Sequence, residues 1–238
     1  MTDNLNKKIK AEFDSNAGPA PVLGAYPVTI ETPRLILREI EPTDAPAILA
    51  ITQKPGFHYY CFDGTQNTVD AFIQSAVDTR KKAPDGLREE IMLAITLKDT
   101  GELIGHVALQ RVSHVAGYPF DANFFIDPDM QNKGYGREAL INMKHYGYEE
   151  LGQKGYTITV HPDNHASQHV FLSEGYKHVK DTQINTVNGL EPRMLLFQNK
   201  DQFYKQRQLD KRPLLLPKAA NDDKAAPALK IVKGGPKP

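Results

Sequence analysis

The stretch Phe124–Arg137, FFIDPDMQNKGYGR, constrains the local geometry of this chain most tightly. An apolar run ends at Ile126, Asp127-Pro128-Asp129 makes a turn, and Gly134 and Gly136 space out a loop. In the EALINMKHYGYEEL that follows, Ala139, Leu140, Met143 and Tyr146 fall on one helical face. Strand, tight glycine loop and helix start together suit a phosphorylated ligand. Loop N–H groups converge, the helix start adds its positive dipole end, and glycine lets an anion approach closely. A P-loop would close on Gly-Lys-Ser/Thr, which is missing here. The dinucleotide fingerprint would need a third glycine, where this chain has Ala139.

Taken in order, residues 1–27 mix charges with Gly-Pro and Ala-Pro steps and read as a flexible lead-in. Val28-Thr29-Ile30 and Leu35-Ile36-Leu37 are strand-like, split by Thr32-Pro33. Thr43-Asp44 ahead of Ala45-Pro46 starts a helix, and Thr68 is expected to cap a second with Val69, Phe72, Ile73 and Ala76 on one face. Between them, residues 54–67 are aromatic and turn-rich. Two readings stand open there, a loop packed on the core by its own rings and a substrate-facing wall. Ile91–Leu97 and Leu103–Leu109 form a hairpin over Asp99-Thr100-Gly101. Phe120–Ile126 leads into the glycine loop. Tyr156–Val160, a short helix from Asn164 or His165, and a final hairpin around Asn188-Gly189 complete the order. Three consecutive strands before the long helix exclude an alternating, doubly wound layout. The expectation is one mixed α/β (α+β) domain over 28–204, with a basic, mobile tail over 205–238.

The pattern Gln131-x-x-Gly134-x-Gly136, directly after Ile126-Asp127-Pro128, resembles the acetyl-CoA pyrophosphate loop of the GNAT acetyltransferases. TPRLILREI resembles the opening of their ribosomal-protein (Rim) branch, and Asn164-x-x-Ser167 with Gly175-Tyr176 resembles a second motif of that branch. The resemblance spans roughly residues 28–200. It implies the GNAT fold, a mostly antiparallel sheet splayed at its centre with flanking helices. It also implies acetyl-CoA as co-substrate, without a metal, and direct acetyl transfer to a primary amine. A protein N-terminus and a small-molecule amine are both open as acceptor. By the resemblance Gln131, Asn132, Lys133, Gly134, Tyr135, Gly136 and Arg137 cradle the diphosphate. Asn164 would bond the pantetheine amide, Ser167 would lie near the thioester sulfur, and N–H groups near Phe125 and Ile126 would face the oxyanion.

Acyl transfer to an amine requires a proton acceptor, oxyanion stabilisation and relief of the departing thiolate. By the resemblance, Asp121 falls where Rim-type relatives usually place a glutamate on this strand, which makes it the candidate base, acting through a water because an ordinary carboxylate pKa is low for the task. The position where many relatives carry a tyrosine acid is Phe171, so Ser167 is the candidate donor to the thiolate. Phe171 also keeps open a non-catalytic acyl-CoA-binding or interaction module on the same fold.

Other chemistries are weaker. Pro162 interrupts the spacing of His161, His165 and His169, so no metal site is expected. The aromatic-basic mix at Lys144, His145, Tyr146 and Tyr148 lies on a packing helix and makes no nucleic-acid platform. From Lys205 onward nine Lys/Arg face three Asp, a basic excess that reads as a solvated end or an RNA contact. One cysteine, Cys61, excludes an intrachain disulfide. With no membrane-length apolar run and a polar start, a cytoplasmic protein with no membrane partner is expected, and a homodimer is left open.

Overall fold

The structure, a computed structural model, describes residues 27–59, 61–84, 88–111, 120–186 and 189–209. Strands β1 (Thr29–Glu31) and β2 (Leu35–Glu39) lead to helices α1 (Ala45–Thr52) and α2 (Gln66–Lys81). Strands β3 (Glu90–Leu97), β4 (Leu103–Arg111) and β5 (Phe120–Ile126) follow, then the long helix α3 (Tyr135–Glu149). Strand β6 (Gly155–Val160), helix α4 (His165–Ser173), strands β7 (Lys177–Thr186) and β8 (Gly189–Asn199), and helix α5 (Lys200–Leu209) close the described chain. The described strands form one sheet in the order β1-β2-β3-β4-β5-β6-β8-β7. Every neighbouring pair is antiparallel except β5 with β6. This is the mixed, mostly antiparallel layout expected of three consecutive strands before a helix.

Period-two alternation divides the core. On β3, Ile91, Leu93 and Ile95 pack toward α3, whereas Met92 and Ala94 pack toward α1 and α2. Both faces are covered, which is why this strand is apolar nearly throughout. At Gly147 an added Cβ would collide with the Tyr156 hydroxyl, so α3 reaches the sheet only because that position has no side chain. The hydroxyl itself is buried and has no hydrogen-bond partner. Tyr156→Phe is therefore expected to stabilise the protein by about 1 kcal/mol, read as a higher urea midpoint at unchanged slope.

Two expectations differ. The second helix begins at Gln66 behind Thr65, not behind Thr68. The Asp63 carboxylate explains the shift. It accepts from the Thr65 N–H (3.0 Å) and from the Thr65 and Thr68 hydroxyls (2.6 and 2.9 Å), which winds the turn three residues earlier. The chain also stays ordered past Lys205. Helix α5 runs to Leu209 and buries Phe203 and Arg207. The rest of the expected tail (210–238), nearly all of the lead-in (1–26) and Asn188 lie outside the described residues.

Candidate active site

The glycine loop is built from the strand end outward. Asp127 starts a 3-10 turn, Pro128–Met130, by accepting the Asp129 N–H at 3.0 Å. Lys54, from the loop after α1, holds the turn by bonding Asp127 (2.8 Å) and Asp129 (2.6 Å). The Gln131 amide turns back and donates to the Ile126 carbonyl at 3.1 Å, so this side chain braces the loop. Asn132 (φ 60°) and Gly134 (φ 80°) are left-handed with an ordinary residue between them. Alternation of this kind turns successive N–H groups to one side, forming an anion-binding concavity. Gly134 caps α3 without a side-chain bond, and the first bond back to its carbonyl comes from the Glu138 N–H. The N–H groups of Tyr135, Gly136 and Arg137 thus precede the intrahelical ladder and face outward from a fifteen-residue helix. Gly136 serves packing instead. A Cβ there would stand 2.7 Å from the Phe124 ring and 3.1 Å from Ile126. Gly136→Ala is expected to push α3 off β5 at a cost of about 1–3 kcal/mol and to weaken CoA binding about tenfold or more, measured by calorimetry.

The charged side chains around this loop serve its architecture. Arg137 pairs with Glu174 at the end of α4. Lys133 is exposed, with its ammonium 3.4 Å from the Met130 sulfur. Arg34 was not singled out by sequence reasoning, although it lies in the TPRLILREI stretch that carried the resemblance. Its guanidinium donates to the Lys133 carbonyl (3.0 Å), lies 4.5 Å over the Tyr135 ring and bonds Glu138 (2.7 Å). Glu138 is fully buried and also accepts from the Thr32 hydroxyl (2.6 Å) and the Arg34 N–H (3.0 Å). The Thr-Pro-Arg turn is thereby bolted to the first turn of α3.

Beside the loop the sheet opens. Every antiparallel pair holds a run of three or more opposed residues, whereas β5 and β6 meet only at Asp121 opposite Thr157. Beyond that pair the two strands part toward their carboxyl ends, where the glycine loop and the start of α4 sit. Strand parity decides which amides line the gap. The Asp127 N–H bonds the Ile104 carbonyl on the β4 side at 2.8 Å, and β4–β5 register is unbroken. Alternate residues face alternate neighbours. Phe125 therefore faces β4, while Phe124 and Ile126 turn their amides toward the gap. Across it, Asn164 caps α4 by accepting the Ser167 N–H at 3.0 Å, which leaves its NH2 group as the donor available to a ligand. The Ser167 hydroxyl is half-buried and bonds no other described residue. Phe171 packs between Phe124 (5.9 Å) and Tyr176 (5.2 Å) as core.

Asp121 lies at the apex of the gap. Its Oδ1 is buried without a partner, and burial lifts its pKa well above the ordinary carboxylate range against the opposing pull of the Ala122 N–H. The carboxylate is thus a stronger base than its residue type alone suggests. Its charge also reaches the buried, unpartnered Tyr176 hydroxyl, adding to the desolvation that raises that group. On the α1/α2 face of β5, the rings of Phe57 and Tyr59 pack on Phe125 at 5.3 and 5.2 Å, and Phe62 packs on Phe72 at 5.0 Å. The loop after α1 is therefore held by its own rings, and it also faces the site. The Tyr59 hydroxyl donates to Asn123 at 2.5 Å, two residues from Asp121. His106 beneath it is neutral, since burial drives its pKa down to about 3.

Among the described residues no group of three or more His, Cys, Asp or Glu side chains is placed to hold a metal ion, and no helix is long and apolar enough to cross a membrane.

Known proteins share this fold. The chain is 27% identical over 151 residues to the uncharacterised N-acetyltransferase YnaD of Bacillus subtilis, covering 62% of this chain and 82% of that one. Mycobacterium smegmatis RimJ, solved in complex with CoA-disulfide, superposes with a TM-score of 0.60 at 17% identity, covering 77% of this chain and 91% of that one. The ribosomal-protein-S5-alanine acetyltransferase of Vibrio fischeri gives 0.57 at 16%, covering 73% and 97%. At such identities the two structures speak for the fold. The family profile described as an acetyltransferase (GNAT) domain matches residues 34–177. Spanning more than half of the chain, that match shows that this protein belongs to the GNAT family of N-acetyltransferases.

Proposed function

We propose that this chain transfers an acetyl group from acetyl-CoA directly to a primary amine, with a protein N-terminus as one acceptor class. The observation that carries this reading is the single β5–β6 pair, Asp121 with Thr157, beyond which the sheet opens beside the outward-facing amides of Asn132–Arg137. The residues present fit the co-substrate. A left-handed concavity and a bare helix start suit a diphosphate, and the gap suits a narrow pantetheine arm with Asn164 at its edge. Acetyl-CoA supplies the activated acyl group. Asp121 takes the amine's proton through a water as the N–C bond forms, and the amides of Phe124 and Ile126 bond the developing oxyanion. As the C–S bond breaks, Ser167 gives a proton to the thiolate and is reprotonated from solvent. The relationship to RimJ and to the S5-alanine acetyltransferase supports a protein N-terminal amine among the acceptors.

The test is thiol release from acetyl-CoA against a panel of small amines and N-terminal peptides. Amine-dependent release, with the acetylated amine found by mass spectrometry, is the expected result. The core position of Phe171, where a proton donor would otherwise stand, favours a second reading as an acyl-CoA-binding module. Tight CoA binding with no release on any amine would establish that reading instead.

A further inference from the structure

Glu90, Gln110 and Asp121 stand directly opposite one another on β3, β4 and β5. Opposed residues share a sheet face. By alternation these three share the face of Met92, Ala108 and Phe125, beneath α1 and α2. The neighbouring rows on that face hold Asn123 and His106 among the apolar residues, and this row is polar throughout. The Glu90 carboxylate and the Gln110 amide make no hydrogen bond to any described residue, and Asp121 Oδ1 is buried without one. A buried acceptor is costly to leave unpaired, so Asp121 Oδ1 calls for a partner, and the half-buried Glu90 and Gln110 beside it on the same face are open to the same ligand.

A groove of about 320 Å³ opens at one end of the row, over Glu90 and Gln110, walled by Ser75, Thr79 and Lys82 on the helix side and by Glu89, Glu90 and Gln110 on the sheet side; Asp121 stands beyond its lining, one strand further along the sheet. Its charge is acidic. Asp78 at the rim already accepts from Gln74 (2.9 Å) and Lys81 (3.0 Å). Arg88 donates from Nε to the Glu90 carbonyl (2.8 Å) and pairs its guanidinium end with Glu39 (2.7 Å). Burial, and less strongly the charge of Glu90, pushes the Cys61 thiol up to about 12. Burial likewise lifts Glu90 to about 7 despite the neighbouring Arg88. Two desolvated carboxylates thus flank one amide, and no cation is bonded to either among the described residues.

We propose that this row selects the acceptor: the preferred amine carries a second cationic nitrogen, held by Glu90 and Gln110 while the reactive nitrogen stands at Asp121. The inference rests on the acetyl-transfer reading above. Neighbouring strands lie about 4.8 Å apart, so Glu90 and Asp121 are separated by about 10 Å at the backbone, close to the span of an extended 1,6-diaminohexane.

The experiment compares kcat/KM for 1,6-diaminohexane and for hexylamine, with acetyl-CoA, in the full chain and in Glu90→Gln. The wild type is expected to prefer the diamine by about tenfold or more, and the ratio should fall to about one in the variant, through KM and not kcat. Gln110→Leu is the second variant, expected to lose the preference in the same way. No preference in the wild type, or a preference that survives both substitutions, overturns the proposal. If neither amine turns over, the amine and peptide panel above judges the acetyl-transfer reading on its own. Calorimetry of 1,6-diaminohexane on the CoA-loaded protein then decides, with binding abolished by Glu90→Gln in favour, and absent or unchanged binding against.

Discussion

Asp121→Asn is expected to lower kcat by about 10²–10⁴ while leaving CoA affinity within about twofold of wild type. The substitution preserves shape and removes only the proton acceptor, and it lies away from the diphosphate loop. The direction of the pKa shift adds two further signatures. Burial raises the folded-state pKa of Asp121 above its unfolded value. The basic form therefore appears only as pH rises through that raised value, so wild-type kcat/KM should climb along a limb displaced above the ordinary carboxylate range. The variant should lack that limb. For stability the sign is opposite. The neutral carboxyl's contribution is fully present below the unfolded pKa and is lost as pH rises through the folded one. At neutral pH Asp121→Asn should thus be more stable than wild type, with the difference vanishing in acid. Unchanged turnover, or a variant less stable at neutral pH, would remove Asp121 from the mechanism.

Glu138→Ala is expected to cost about 2–4 kcal/mol, lowering the thermal midpoint by roughly 5–15 °C. The carboxylate is fully buried and satisfies the Thr32 hydroxyl, the Arg34 N–H and the Arg34 guanidinium. Removing it leaves the buried Thr32 hydroxyl only its longer bond to the Leu35 carbonyl (3.2 Å) and takes the acceptor from the part-buried Arg34 N–H, whereas the half-exposed Arg34 guanidinium can rehydrate. The same change frees Arg34 from Lys133 and Tyr135, so CoA affinity should fall along with stability. Glu138→Gln separates the two roles, since an amide can still accept from Thr32 but no longer offsets the guanidinium charge. A thermal midpoint unchanged in Glu138→Ala would show that the Thr-Pro-Arg turn is held by other means.

What could be read from the sequence follows from which physics is local. The glycine loop was legible because its conformation is written in residue type: Gly134 takes a left-handed φ that most residues avoid, and Gly136 leaves room for Phe124. Strand β5 was legible to the residue because its apolar run ends in Asp127-Pro128. Which of its amides face the gap was not legible, because parity depends on pairing with β4. Nor was the environment of Asp121, since residues distant in the chain desolvate it. The pairing of the Arg137 guanidinium with Glu174, thirty-seven residues away, was not legible either. Helix α5 was missed for a related reason. Its sequence, KDQFYKQRQL, carries little apolar signal, and Phe203 and Arg207 gain their packing only from partners elsewhere.

Those partners make helix α5, the last among the described residues, an expected late step in biosynthesis. Glu174 is shared, one oxygen with Arg137 at the start of α3 and the other with Arg207 on α5. Lys144, enclosed by the rings of Tyr176 and Phe203, also depends on α5 for half its cage. A nascent chain emerging in order would present its loop residues early and still lack the clamp that sets their aim. On the proposed function, the cradle is therefore expected to set only after Leu209 has left the exit tunnel, and donor binding to follow late in synthesis of the described fold.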